Sequence, residues 1–210
     1  MDIIYGGTFD PPHKGHERFL DLMTARFPDA RIHLLPCYQP VHKGRAQATA
    51  EQRVEMLRLL AQGRPQVKVN TRELDAGVPA YSVDTLTAWR QEVGPEASLV
   101  FAMGGDSLAR LHSWSRWQSL LDLAHILVLP RPGYDAALAP VLRDYLRNRW
   151  LGPVELTQLA RTPCGRIMNL PGKPLPWSSS QIRHGDANRA QALPPSVLEY
   201  VQSHALYGTP

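Results

Sequence analysis

The stretch Tyr5-Gly6-Gly7-Thr8-Phe9-Asp10-Pro11-Pro12-His13-Lys14-Gly15-His16 decides how this chain is read. It follows a short apolar run (Ile3, Ile4, Tyr5) and precedes an amphipathic segment carrying Phe19, Leu20, Met23 and Phe27. That order predicts strand, tight loop, helix. Gly6 and Gly7 lack a Cβ, so the backbone there can turn sharply and come close to a ligand. Gly15 and His16 fall at the predicted helix start, where open N–H groups and the positive dipole end attract phosphate. His13 and His16 are spaced to share one side of the first helical turn. The parts make a phosphate cradle without a Walker-type lysine loop. An i, i+3 histidine pair can also begin a zinc site. The sequence has no Cys-x-x-Cys and no His-Glu-x-x-His to complete one, so no protein-held metal is expected.

Composition narrows the class. A chain of 210 residues suits one domain with a substantial core, and its 43% hydrophobic and 20% charged residues are those of a soluble globular protein. A net charge of +4 fits anionic ligands, but without a Lys/Arg run it does not argue for nucleic acid. Cys37 and Cys164 read as reduced thiols in a cytosol rather than a disulfide scaffold. The first strand is predicted from residue 2, which leaves no room for a signal peptide. No apolar run approaches the roughly twenty residues that span a bilayer, so neither a membrane nor a nucleic acid is expected as a partner.

Along the chain, Pro28-Asp29 breaks the first helix, and Arg31 to Pro36 reads as a buried strand. A polar loop from Cys37 to Ala48 leads to Thr49-Ala50-Glu51-Gln52, a capping-box pattern. The helix it opens carries Val54, Leu57, Leu60 and Ala61 inward and stops at Gly63. Gln66 to Asn70 is a third strand, and Ala76 to Tyr81 a turn-rich loop. Ser82 is expected to cap a helix running to Val93. Ser98 to Met103 is the most apolar strand and ends in Gly104-Gly105-Asp106. His125 to Leu129 is a fifth strand, and Asp135 to Trp150 is expected to be helical. Residues 151–165 stay ambiguous. Arg166 to Leu170 suggests a last strand, Ser178-Ser179-Ser180 a further helix start, and Pro194 to Leu206 a C-terminal helix.

Strands alternating with helices imply an α/β fold with a doubly wound parallel sheet. Ligands in such sheets bind beyond the carboxyl ends of strands where the strand order reverses. If strands one and four are neighbours, the loops Gly6-Gly7-Thr8 and Gly104-Gly105-Asp106 open on one crevice.

The first motif resembles the GTFDPxHxGH signature of the nucleotidyltransferase superfamily. Further segments are similar, in order, to one family, the bacterial nicotinate-nucleotide adenylyltransferases. These are Pro40-Val41-His42-Lys43, Arg53-Val54-Glu55-Met56, Ala80-Tyr81-Ser82-Val83-Asp84-Thr85-Leu86 and Gly104-Gly105-Asp106 with Trp114. Arg131-Pro132-Gly133, Trp177-Ser178-Ser179-Ser180-Gln181-Ile182-Arg183 and Leu206-Tyr207-Gly208 complete the match, which runs from residue 3 to residue 208. Ala80, Ser82, Trp177 and Ser180 depart from the family pattern, although Ser180 keeps a hydroxyl.

The resemblance implies a Rossmann-like nucleotidyltransferase domain over 1–210, with 178–208 as its C-terminal phosphate-binding and helical segment. It implies a cytoplasmic enzyme that transfers AMP from ATP to nicotinate mononucleotide with Mg²⁺, a step of NAD biosynthesis. Implied catalytic residues are His13, His16 and Arg183, with the histidines on the α- and β-phosphates. Ser178, Ser180 and Arg183 would hold the β- and γ-phosphates, with His42 and Lys43 closing over them. Gly6, Gly7, Thr8, Phe9, Gly104 and Asp106 would complete the ATP side, Asp106 accepting ribose hydroxyls. The mononucleotide side would be Gly7, Thr8, Tyr81, Ser82, Asp84, Thr85, Asp106, Trp114, Ser115 and Arg131. There the pyridine ring would stack on Trp114, with backbone N–H groups near Thr85 and Ser115 receiving the carboxylate. Pantetheine-phosphate adenylyltransferases and glycerol- or choline-phosphate cytidylyltransferases share residues 6–16 of this pattern, and a binding protein that lost catalysis is a further alternative. Oligomeric state stays open, a homo-oligomer included.

Overall fold

A computed structural model describes residues 1–39, 46–130, 138–152 and 155–208. The first half of the chain runs β1 (Asp2–Gly7), α1 (Lys14–Arg26), β2 (Arg31–Pro36), α2 (Ala50–Ala61) and β3 (Val67–Val69). It continues through α3 (Arg72–Asp75), α4 (Ser82–Val93), β4 (Leu99–Gly104), α5 (Gly105–Ala109) and α6 (Leu120–Leu123). Then come β5 (His125–Leu129), α7 (Pro140–Leu146), α8 (Leu156–Arg161) and β6 (Ile167–Asn169). Helices α9 (Ser179–His184), α10 (Arg189–Ala192) and α11 (Pro195–Ser203) end the chain.

Among the described residues six strands form one parallel sheet in the order β3-β2-β1-β4-β5-β6. Alternation along each strand divides the core between two faces. Ile3, Tyr5, Val100 and Ala102 face α1 and α2, where Phe19, Leu20, Met23, Leu57 and Leu60 cover them. Ile4, Leu99, Phe101 and Ile126 face the opposite layer, meeting Val83, Leu86 and Trp89 of α4 and Leu142 and Leu146 of α7. Each buried leucine contributes about 1.5–3 kcal/mol. A third cluster joins Met56 of α2 to Ile182, Ala192, Val197, Val201 and Tyr207, which fastens the C-terminal helices to the sheet layer.

The neighbours of β1 are β2 and β4, so the expected reversal of strand order lies there. The Thr49–Gln52 capping box forms as read. Ser82 does not cap α4. Tyr81 occupies the cap with no side-chain bond, and Ser82 is the first helical residue. Residues 135–137 of the predicted Asp135–Trp150 helix lie outside the described residues, and within 138–150 the α-helix is α7, which Pro140 opens. Trp150 instead makes a parallel bridge to Ile167. In the ambiguous region α8 forms, and α3 arises ahead of the 76–81 loop without a sequence signal. The C-terminal helix stops at Ser203, with Ala205 at φ 49° just beyond it. Among the described residues no helix is long and apolar enough to cross a membrane.

His125 is fully buried at the start of β5, where its Nδ1 accepts the Arg166 N–H at 3.1 Å and its Nε2 meets the Thr162 carbonyl at 2.8 Å. Burial lowers its pKa, although the Thr162 bond opposes the shift. The unfolded ring takes up its proton near its ordinary value of about 6.5 while the folded ring does not, so stability falls as pH drops below that value. His125→Asn should flatten this fall, since one ring contributes at most about 1.4 kcal/mol per pH unit. Urea midpoints between pH 7.5 and 5 for both proteins check this.

Candidate active site

The loop after β1 is built by aromatic packing rather than by a glycine turn. Gly6 and Gly7 stay within β1, and neither has a positive φ. A Cβ on Gly7 would lie 3.0 Å from the Phe9 ring, and one on Gly6 would lie 3.2 Å from Phe101. Their smallness makes room for rings. The chain turns at Phe9 (φ 51°), whose buried ring packs edge-on against Tyr5 at 5.4 Å and His16 at 5.0 Å.

His13 and His16 cap α1 reciprocally. His13 Nδ1 accepts the Gly15 N–H at 3.1 Å, and His16 Nδ1 accepts the His13 N–H at 3.1 Å. The His16 amide donates to the His13 carbonyl at 2.8 Å. The amides expected to be open to phosphate at Gly15 and His16 are therefore already engaged. What the two histidines can still present is a ring N–H. A ring nitrogen that accepts an N–H bond carries no hydrogen, so each imidazole bears its hydrogen on Nε2. The rings lie 3.8 Å apart between centroids, and both side chains are buried along the wall of a large cavity. Gly15 is required for this arrangement, because its Cβ would sit 2.8 Å from His13 Cε1 and Nδ1.

That cavity, about 1340 Å³, lies over the carboxyl ends of β1 and β4. Such a volume exceeds the roughly 300–1,000 Å³ typical of one small ligand. Gly6, Gly7, Thr8, Phe9 and the two histidines share its wall with Gly104, Asp106, Ser178, Ser180 and Arg183. Helix α9 is docked there by Ser179 Oγ, which donates to the Pro11 carbonyl at 2.9 Å, and by Arg183 Nη1, which donates to the Asp10 carbonyl at 2.7 Å. The Ser178 hydroxyl is already used: it accepts the Gln181 N–H and donates to Gln181 Oε1 in a capping box. Ser180 and the rest of the Arg183 guanidinium are what α9 offers a ligand.

Tyr81, Ser82, Thr85, Trp114 and Ser115 line the same cavity. Trp114 stands edge-on to Phe101 at 6.4 Å, and Tyr81 is about half exposed. The Thr85 N–H is itself bonded to the Tyr81 carbonyl at 3.2 Å, so open amides near Thr85 are those earlier in α4. The amides of Ser82 and Val83, one turn earlier, precede the first intrahelical acceptor. Asp84 turns away from the cavity and pairs with Arg116, which ties α4 to the Trp114 segment from outside. His42, Lys43 and Arg131 lie outside the described residues.

Three residues were given no role at the level of sequence. Arg53 is buried and clamps the loop mouths, its Nη1 donating to the carbonyls of Thr8 at 2.9 Å and Cys37 at 2.8 Å. Glu73 lines the cavity and accepts the Thr85 hydroxyl at 2.7 Å, and burial pushes its carboxyl above the usual range. Asp10, 1% exposed, accepts the amides of Gln47 and Ala48. Arg53 and Asp10 stood inside recognised motifs, whereas nothing local marked Glu73.

A family model described as cytidylyltransferase-like matches residues 4–185. A protein of Marinomonas sp. named "probable nicotinate-nucleotide adenylyltransferase" is 42% identical over 97% of this chain and 93% of its own length. One of the same name from Serratia proteamaculans is 40% identical over 99% and 95%. The chain belongs to the nicotinate-nucleotide adenylyltransferase branch of the cytidylyltransferase-like family. The fold is also that of the Plasmodium falciparum nicotinic acid mononucleotide adenylyltransferase solved with NaAD, with a TM-score of 0.71 at 18% identity covering 100% of this chain and 98% of that one. The Rossmann-like nucleotidyltransferase architecture is thereby shared across distant sequences.

In a family of nucleotidyltransferases, His16 should contribute as a ring donor to phosphate. His16→Ala is expected to cost on the order of 10²–10³ in turnover, the usual loss for one preorganised donor. Loss of its capping bond should cost about 1 kcal/mol in addition. Steady-state rates and a melting scan on the same preparation separate the two effects.

Proposed function

We propose that this chain transfers AMP from ATP to nicotinate mononucleotide, releasing pyrophosphate and forming nicotinate adenine dinucleotide in NAD biosynthesis in the cytoplasm. One observation carries the reading. The His13–His16 pair, the Ser180–Arg183 element, Tyr81 and Trp114 all line one cavity.

The nucleophile is the phosphate of the mononucleotide, already anionic, so no strong general base is called for. Catalysis then consists of holding two phosphates together and receiving charge at the α-phosphorus and the leaving pyrophosphate. In this reading the Nε2–H groups of His13 and His16 bond the α- and β-phosphate oxygens, and Arg183 with Ser180 takes the β- and γ-phosphates. Asp106, in the first turn of α5, accepts ribose hydroxyls. Trp114 gives the pyridine ring a flat face. The amides of Ser82 and Val83, with that of Ser115, receive its carboxylate, and residues 1–210 act as one domain.

Mg²⁺ enters with ATP in this proposal. Among the described residues no three His, Cys, Asp or Glu side chains gather to hold a metal, so triphosphate oxygens would supply most of its ligands. Once bound, the ion spreads the charge of the phosphates.

Amides aimed at a carboxylate meet the NH₂ of nicotinamide as donor against donor. A site built on hydrogen bonds rejects such an analogue by up to about 10⁴–10⁵-fold. The expectation here is at least roughly 10²-fold, since the amide can turn its oxygen inward. Pyrophosphate release from ATP should be compared for nicotinate mononucleotide, nicotinamide mononucleotide and phosphopantetheine. Equal kcat/KM for acid and amide would remove the carboxylate pocket. Preference for phosphopantetheine would move the chain to another branch of the family, and ATP binding without turnover would make it a binding protein.

A further inference from the structure

Asp10 joins segments far apart in the chain. Its Oδ1 accepts the Tyr207 hydroxyl at 2.8 Å and the Ala48 N–H at 3.1 Å, and its Oδ2 accepts the Gln47 N–H at 2.9 Å. Arg183 Nη1 lies 3.8 Å from the same Oδ2 while it donates to the Asp10 carbonyl. One buried carboxylate thus links the loop after β1, the entry to α2, helix α9 and the C-terminal segment.

The C-terminal contribution is specifically built. Arg189 Nη2 donates to the Tyr207 carbonyl, and the Tyr207 ring packs with Met56, Ile182 and Val201. Backbone conformations that L residues disfavour occur at both ends of the Asp10–Tyr207 bond. Tyr207 has φ 58° and Ala205 φ 49°, while Phe9, beside Asp10, has φ 51°. Such residues persist where surrounding contacts over-determine them, and they concentrate at functional sites. Burial, reinforced by the charge of Asp10, raises the Tyr207 hydroxyl above its ordinary pKa, so it stays a donor across the working range.

We propose that Tyr207 is a positioning residue for the ATP side of the cavity, acting through Asp10 on Arg183. The argument rests on the proposed assignment of Arg183 to the triphosphate. With the hydroxyl in place, Asp10 has three short donors and leaves Arg183 on its carbonyl. Without it, a buried carboxylate has lost a partner and recruits the nearest cation. Among the described residues that cation is Arg183, whose Nη1 lies 3.8 Å from the neighbouring Oδ2, and its guanidinium is then drawn from the cavity onto Asp10.

Tyr207→Phe tests this, because it removes the hydroxyl and keeps the packed ring. Calorimetric titration with a non-hydrolysable ATP analogue, well below the melting midpoint, should show about tenfold weaker binding. Affinity for nicotinate mononucleotide should be unchanged. Arg189→Ala, which loosens Tyr207 from outside the core, should weaken the analogue in the same direction. In an Arg183→Ala background, Tyr207→Phe should add nothing, since residues acting as one unit are not additive. A lower melting midpoint with unchanged analogue affinity would overturn the proposal and leave Tyr207 a packing residue. So would additive losses in the double variant. If the parent protein itself fails to bind the analogue, the ATP reading of the site fails, which is a separate result.

Discussion

Parallel pairing of β1 with β2 on one side and β4 on the other is the constraint from which the rest follows. It forces the chain to run outward in both directions from β1, so the loops after β1 and β4 cannot be covered by a crossing connection. They open instead on one cavity. Every residue assigned to phosphate or pyridine binding within the described chain lies on one of these two loops or on an element docked to them. Helix α9 is docked by bonds to Pro11 and Asp10, and the start of α4 is held by Glu73 and Arg116.

Local capping and ligand binding compete for the same polar atoms, and the structure divides them. In His13 and His16 the division runs within one ring: Nδ1 satisfies a backbone amide, which leaves Nε2 as the donor. The cap sets the tautomer, and the tautomer sets the chemistry. At α9 the division is between residues. Ser178 closes the helix start on Gln181, while Ser180 and Arg183 face the cavity. At α4 no side chain caps at all.

The parallel α/β fold was legible because each strand is a short apolar run between breakers, as in Leu99–Gly104 and His125–Leu129. The Thr49 box was legible because capping is a four-residue affair. Other features were not, for a common reason: they depend on contacts remote in sequence. Gly6 and Gly7 read as a turn, but the rings of Phe101 and Phe9 dictate their smallness. Asp84 read as a ligand, but Arg116 sits across a loop from it. The bond between Asp10 and Tyr207 spans nearly the whole chain, and no local pattern announces it. Helix α3 is one turn long, too short for any periodicity to show.

The central claim is that the two substrates react directly, with His13 and His16 as donors rather than nucleophiles. An imidazole whose Nδ1 is tied to the backbone and whose Nε2 carries hydrogen has no lone pair to offer phosphorus. The most direct test is the stereochemical course at the α-phosphorus, using ATP made chiral there with sulfur and isotopic oxygen. The account predicts inversion, the signature of one in-line displacement. Retention would mean two displacements through an adenylylated side chain, and it would contradict the account.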